Sequence, residues 1–302
     1  YRIAQIMVAL PENATPEQIQ FRRAKMLTAK KELEEGKDFG VVAATYSNSA
    51  DAANGGLIGW RASGSLPPAL VELLEQLKPG GMTDIVTASA ARSVQARRRI
   101  RPHIYETPLL PARSDGLLFK AENFQLTGSF KIRGAASVMS AVTSDQPLIT
   151  ASSGNHGIGA ARAAQSMGRS LTVVLPENVV PEKLARIRSY GVQVVLHGAE
   201  TGLAEQHAQR LAQSTGARYI SPYNDADVIA GQGTIGLELL EQAGQIDNLV
   251  IAMGGGGLIS GIGAVIKAFS PSTRIIGAAA EASQALALSM QAGRVVECDH
   301  FD

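Results

Sequence analysis

The sequence predicts an α/β protein: parallel sheets with helices on both faces, preceded by a small α+β domain. Three observations carry this reading. Beyond about residue 90, short apolar runs alternate with helix-like stretches. Those runs are apolar at nearly every position, which marks strands buried on both faces of a parallel sheet. Before about residue 90 the rhythm differs, with longer polar helical stretches separated by Gly- and Pro-rich breaks. The domains are therefore placed at 1–88 and 89–302, and 302 residues are enough for both to bury a core.

The first domain opens on Arg2–Leu10, read as a strand. Pro11–Asn13 breaks it. Thr15 is placed as the cap of a helix starting at Pro16, with Gln18 completing a capping-box spacing. That helix is expected to run to about Glu35, where Gly36 can stop it. Asp38–Tyr46 reads as a second short helix, and Gly55–Trp60 as a Gly-rich turn into a strand. Leu66–Leu77 reads as a third helix, ended by Lys78–Pro79–Gly80–Gly81, and Asp84–Thr87 begins another strand.

In the second domain each strand is paired with the helix that follows it. Leu117–Glu122 precedes a helix from Ser129, and Leu148–Ala151 one from Asn155. Leu171–Leu175 precedes one from Pro181, and Val192–Leu196 one from Thr201. Asn248–Met253 precedes one from Leu258, and Arg274–Ala278 one from Ala282. Ligands of such sheets sit beyond the carboxyl ends of the strands, on the loops entering the helices.

Composition narrows the function classes. Apolar residues make up 45% and charged residues 18%, a globular balance. A net charge of +1 gives no bulk attraction to nucleic acid. The one basic run, Arg97–Arg98–Arg99 with Arg101, reads as a solvated helix end, where cations favour the helix dipole. Cys298 is the only cysteine, so no intramolecular disulfide or cysteine-cluster zinc site can form. No apolar run approaches the roughly 18 residues that span a bilayer, and the N-terminus lacks a signal-peptide layout. A cytoplasmic protein without nucleic-acid or membrane partners is expected. The chain starts without Met, so residues of a longer product are expected to precede Tyr1.

Three loops fall at strand ends. Thr127–Gly128–Ser129–Phe130–Lys131–Ile132–Arg133–Gly134 places Lys131 between apolar neighbours at what reads as a Ser-capped helix start. An amine in an apolar pocket has its pKa lowered, as a Schiff-base lysine requires. Ala151–Ser152–Ser153–Gly154–Asn155–His156–Gly157 offers hydroxyls and free backbone amides at a helix N-terminus. That suits a carboxylate, though an ordinary N-cap has the same look. Gly254–Gly255–Gly256–Gly257 can turn consecutive amides toward an anion, although a glycine run alone is more often a linker or tight turn. An amine, a carboxylate cradle and a phosphate cradle together suit pyridoxal phosphate with an amino-acid substrate.

With Glu106–Thr107–Pro108–Leu109, Lys120–Ala121–Glu122–Asn123 and Ala230–Gly231–Gln232–Gly233–Thr234, the three loops carry a resemblance over about residues 90–302. This part resembles the fold-type II pyridoxal-phosphate enzymes, specifically the threonine/serine dehydratase and serine racemase family. The resemblance implies roles for single residues. Lys131 would carry the cofactor and act as the proton-transfer base, and Phe130 would pack against the cofactor ring. Asn155 would hydrogen-bond its phenolic oxygen, and Gly254, Gly255, Gly256 and Gly257 would hold its phosphate. Ser152, Ser153 and His156 would lie in the loop receiving the substrate carboxylate. Family racemases carry a serine just before the Gly-Asn-His triplet, where many dehydratases have alanine; Ser153 stands there and is the candidate second base. The implied reaction is deamination of L-threonine or L-serine first, with serine racemisation second.

The chain departs from the family pattern in three places. It stops at Asp302, before the segment that supplies the partner of the pyridine nitrogen, so a C-terminally incomplete domain is expected. The stretch between Leu110 and Leu118 is several residues short. The family's acidic cation ligand should fall near Ala279, while the chain has Glu281, so no family-type metal site is expected. A complete domain would be expected to form a homo-oligomer.

Residues 1–88 resemble something else, a parvulin peptidyl-prolyl isomerase domain of SurA-like periplasmic chaperones. The residues are Arg2–Leu10, Glu35–Gly36–Lys37–Asp38–Phe39, Tyr46–Ser47, Gly55–Gly56–Leu57–Ile58–Gly59–Trp60 and Leu77–Lys78–Pro79–Gly80. The resemblance implies an unfolded-peptide partner and, were this half to set the address, a periplasmic location. It lacks the closing Gly-(Phe/Tyr)-His-Ile strand and any histidine before His103; Ser49 occupies the polar position often held by Cys or Asp. The alternative function is thus a chaperone or isomerase module joined to an inactive fragment.

Overall fold

A computed structural model describes residues 2–9, 16–60, 78, 80–82, 88–113, 116–142, 144–281, 285–294 and 296. The chain divides into two compact units, Tyr1–Val86 and Thr87–Asp302.

In the first unit, β1 (Arg2–Ala4) pairs antiparallel with β2 (Leu57–Trp60), with Ile3 opposite Gly59. The strand expected over Arg2–Leu10 is therefore shorter. After Ala4 the chain bonds to loops instead of a ladder: Gln5 N–H donates to Gly56 O at 2.8 Å and Asn48 N–H to Met7 O at 2.6 Å. Helices α1 (Pro16–Glu34) and α2 (Phe39–Tyr46) follow. Gly36 takes φ +88° just beyond α1, a conformation that L side chains avoid. The Asp38 carboxylate caps α2 by accepting from Val41 N–H at 3.1 Å. The expected Thr15 cap, the helix at Leu66–Leu77 and the strand at Asp84–Thr87 lie outside the described residues.

The second unit opens with α3 (Ala88–Ile100), whose last turn holds Arg97, Arg98 and Arg99, the basic run read as a helix end. A short antiparallel pair follows, β3 (Leu109–Pro111) with β4 (Leu118–Lys120). The main sheet has four parallel strands in the order β7-β6-β5-β8: β5 Leu148–Ala151, β6 Leu171–Leu175, β7 Gln193–Leu196 and β8 Arg218–Tyr219. Alternate residues bury on opposite faces. Leu148, Leu171, Val173 and Leu175 join one core cluster; Ile149, Ala151 and Val174 join the other. This is why the strands read as continuously apolar.

The first face is covered by α4 (Lys131–Ala141), α5 (Asn155–Met167) and α6 (Pro181–Arg188), which supply Ile132, Ile158 and Ile187. The second is covered by α7 (Thr201–Thr215), through Ala204, Ala208 and Ala212. A separate parallel pair, β9 (Asn248–Ala252) with β10 (Arg274–Ala278), carries α9 (Gly257–Phe269) between its strands. A last helix, α10, spans Ala285–Ala292.

Helix α8 (Ala226–Gln242) links these parts through glycines. A Cβ at Gly231 would lie 2.4 Å from Arg133 O on α4. One at Gly233 would meet Ser93 Oγ on α3 at 2.1 Å and Gly261 O on α9 at 2.9 Å. No helix was expected at this position from the sequence. Its glycines lower helix propensity, and only the close approach of neighbouring backbones makes them favourable.

One expected helix start, at Ser129, differs in detail, and another, at Asn155, holds. Ser129 does not cap α4: Phe130 is the first flanking residue, and the Ser129 hydroxyl is buried with no partner among the described residues. Gly154 stands at the cap position of α5.

Candidate active site

The lysine loop is linked to the serine loop through helix α5 and to the glycine loop through the segment Ile220–Asn224. Lys131 is the first residue of α4. Its Nζ donates to Pro222 O at 3.1 Å and stands 5.3 Å from the centre of the Phe130 ring. No carboxylate faces this amine within ion-pair distance among the described residues. Burial alone lowers its pKa. Lys120 makes the contrast clear. Burial lowers its pKa too, but its ammonium pairs with Glu238 at 2.6 Å and bonds Thr107 O and Gln242.

Helix α5 brings the serine loop to the lysine. A Cβ at Gly159 would lie 2.9 Å from Ile132 N and 3.1 Å from Lys131 C, so the second turn of α5 rests directly on the backbone that carries the amine. Within the loop, Ser152 Oγ accepts from Gly154 N–H at 3.2 Å. Ser153 is half-buried and makes no hydrogen bond among the described residues; Asn155 is exposed at the first position of α5. His156 is only 3% exposed, and its Nε2 lies 3.0 Å from Thr150 Oγ1. Burial, then the Lys131 charge, pushes its pKa down to about 3.

The glycine loop is joined to the lysine by a segment that the sequence reading passed over, Ile220–Asn224. Pro222 accepts from Lys131, and the next residue packs on the glycines. A Cβ at Gly255 would lie 2.7 Å from Tyr223 Cγ, and one at Gly257 would lie 2.9 Å from Tyr223 O. Gly256 takes φ +84° at the N-terminus of α9, and Gly254 and Gly255 are exposed. The first-turn amides of a helix have no intrahelical acceptor. The segment is fixed at both ends. Ile220 N–H donates to Ile149 O at 2.7 Å, and Asp225 caps α8 by accepting from Asp227 and Val228 N–H. The only sequence signal was its position after a strand of two residues, too short to register as one.

Residues 100–302 match the family described as "PALP: Pyridoxal-phosphate dependent enzyme", two thirds of the chain. The chain belongs to this family. Residues 6–94 match "Rotamase: PPIC-type PPIASE domain", so the pyridoxal-phosphate domain follows an N-terminal parvulin-type domain.

Serine racemase from Oryza sativa subsp. indica is 36% identical over 211 residues, covering 67% of this chain and 62% of the relative. L-threonine dehydratase catabolic TdcB from Staphylococcus aureus (strain USA300) is 37% identical over 215 residues, covering 66% and 62%. The chain thus spans 62% of the length of these curated relatives. Among solved structures, maize serine racemase superposes with a TM-score of 0.67 at 35% identity, over 70% of this chain and 68% of that one. The processed form of threonine deaminase isoform 2 from Solanum lycopersicum gives 0.66 at 34% identity, over 76% and 68%.

The residues of this pyridoxal-phosphate family member fit the family's cofactor on two structural grounds. Lys131 is a desolvated amine without a counter-ion. At Gly255 and Gly257 Tyr223 packs where a Cβ would stand, so only glycine fits, and the first-turn amides of α9 that follow have no intrahelical acceptor and suit an anion. Phe130 packs against the same apolar cluster as Leu258 and Ile259, the residues that follow the glycine loop.

Proposed function

We propose that the second domain deaminates L-serine or L-threonine to a 2-oxo acid and ammonia with pyridoxal phosphate, and that serine racemisation is its second activity. The single observation that carries this reading is the Lys131 amine, half-buried without a carboxylate partner among the described residues and held by a carbonyl. A neutral amine is the nucleophilic form, and desolvation favours it.

Lys131 would hold the cofactor, Gly254–Gly257 its phosphate, and Asn155 its phenolic oxygen. Bound there, pyridoxal phosphate supplies an electron sink that acidifies the substrate Cα–H. Lys131 Nζ takes the proton from Cα on its own face. Ser152 and Ser153, with the backbone amide of His156 and the other free first-turn amides of α5, receive and orient the substrate carboxylate. Racemisation needs a second proton carrier on the opposite face, and Ser153 is the candidate. Its hydroxyl, free of hydrogen bonds among the described residues, supports that role. Placing the boundary between the domains at 88/89 is supported by the compact units Tyr1–Val86 and Thr87–Asp302.

Lys131 is tested by borohydride reduction of the protein with pyridoxal phosphate, followed by peptide mapping. The expected label is on Lys131; a label on Lys120 or Lys183 instead defeats the assignment. For Ser153, the expected result with L-serine is that Ser153→Ala abolishes D-serine formation while pyruvate formation persists. Racemisation that survives the change removes Ser153 as the second base.

The first domain is read as a peptide-binding module without isomerase chemistry. No histidine precedes His103. Ser49 is 9% exposed, and its hydroxyl accepts from Gln5 Nε2 at 3.1 Å and donates to Asp51 at 3.4 Å. Uncatalysed proline isomerisation takes tens to hundreds of seconds, which gives a clear baseline. The protein should leave that rate unchanged in a proline-containing peptide, and strong acceleration contradicts this reading.

A further inference from the structure

One hydroxyl fixes the tautomer of a buried histidine. Thr150 Oγ1 lies 2.8 Å from Ile220 O and 3.0 Å from His156 Nε2. A carbonyl oxygen can only accept, so the single hydroxyl proton points to Ile220. Toward His156 the same oxygen has only lone pairs left. Nε2 must therefore carry the ring proton and donate it. Nδ1 is then a bare lone pair, buried and without a partner among the described residues. A second proton there would place a charge in a buried site already facing the Lys131 ammonium, and both effects oppose it.

The hydrogen-bond chain does not end at Ile220. Two residues on, Pro222 O accepts from Lys131. Ile220 is thus held by Thr150 and His156, and Pro222 holds the amine, on one short stretch of backbone. The fixed φ of Pro222 itself limits how that stretch can bend.

We propose that His156 is a positioning residue, fixed as the neutral Nε2–H tautomer, which sets the Pro222 carbonyl and so the Lys131 amine through Thr150 and Ile220. Its side chain is an acceptor at Nδ1 and supplies no proton to the reaction. The tautomer follows from donors and acceptors alone. The link to chemistry rests on the reading of Lys131 as the reactive amine.

The test needs no cofactor. Long-range proton–nitrogen NMR of the histidine-labelled protein, with the His156 signal identified by its loss in His156→Gln, should show Nε2 protonated and Nδ1 bare at pH 7. An Nδ1–H or doubly protonated pattern overturns the proposal. The positioning step is read from the pH profile of Lys131 acetylation, followed by peptide mapping. Gln can place an amide N–H near the Nε2 position, whereas Asn cannot reach it. His156→Gln should therefore keep the wild-type midpoint, while His156→Asn and Thr150→Val move it by about one pH unit or more. One midpoint shared by all four proteins overturns the positioning role. Failure of pyridoxal phosphate to label Lys131 would defeat the functional reading but leave both of these measurements interpretable.

Discussion

Arg133→Ala is expected to destabilise the second domain by about 3–5 kcal/mol, the cost of leaving buried charges without their partner. Arg133 is 0% exposed. Its guanidinium bonds both oxygens of Glu122, at 2.8 Å each, and both oxygens of Glu238, at 2.5 and 2.9 Å. Thr107 and Thr234 hydroxyls lie at 3.3 and 3.2 Å. Burial alone would lower the pKa of this group, but the carboxylates outweigh it and the net shift is upward. Removing the arginine takes from Glu122 and Glu238 their shared partner, and leaves Lys120 as the ion-pair partner of Glu238 among the described residues.

Urea unfolding followed by circular dichroism measures the loss, which corresponds to roughly a hundredfold to several-thousandfold change in the folding equilibrium. Arg133→Lys should recover little, since an ammonium cannot serve two carboxylates bidentately. A cost below about 1 kcal/mol for Arg133→Ala would mean that the cluster does not hold the domain together. The site should suffer with the fold, because Arg133 lies two residues after Lys131 on α4.

The second large effect is expected at Gly231. In a solvated helix interior, Gly→Ala stabilises by about 0.5–1 kcal/mol. At Gly231 the sign should reverse. The added Cβ would lie 2.4 Å from Arg133 O and 2.7 Å from Gly134 Cα, all backbone atoms that cannot rotate away. Overpacking of this kind costs about 1–3 kcal/mol, and Gly231→Val should exceed Gly231→Ala. Gly202 on α7 is the control, since nothing lies within 4 Å of its Cβ position. Gly202→Ala should leave urea stability unchanged or raise it. Stabilisation by Gly231→Ala would show that α4 and α8 do not cross this closely. Separating these helices should also move Lys131 from Pro222 O, so acetylation of Lys131 should follow the loss of stability.

The strand–helix order from Leu148 to Phe269 was largely legible because it is written locally. Each strand is a short apolar run, and most helices begin at a polar, proline or glycine break. The lysine, serine and glycine loops were legible for the same reason: residue type and position after a strand suffice to nominate them. Helix α8 was not legible. Gly231, Gly233 and Gly236 disfavour a helix in isolation, and it is the backbones of Arg133, Gly261 and Val265's helix that reward their lack of a side chain. Ser129 was misread as a cap because serine before a helix usually is one; here the helix starts at Lys131 and the hydroxyl turns into the interior.

The sequence by itself determined the alternation of strands and helices, the family, and the lysine and glycine loops, because periodicity and backbone freedom act within a few residues of chain. Only the tertiary structure decided what surrounds the amine. Pro222 lies 91 positions from Lys131, Glu238 lies 105 positions from Arg133, and Ile220 lies 70 positions from Thr150. Hydrogen bonds and desolvation depend on which groups share a few ångströms of space, and chain packing alone brings these together.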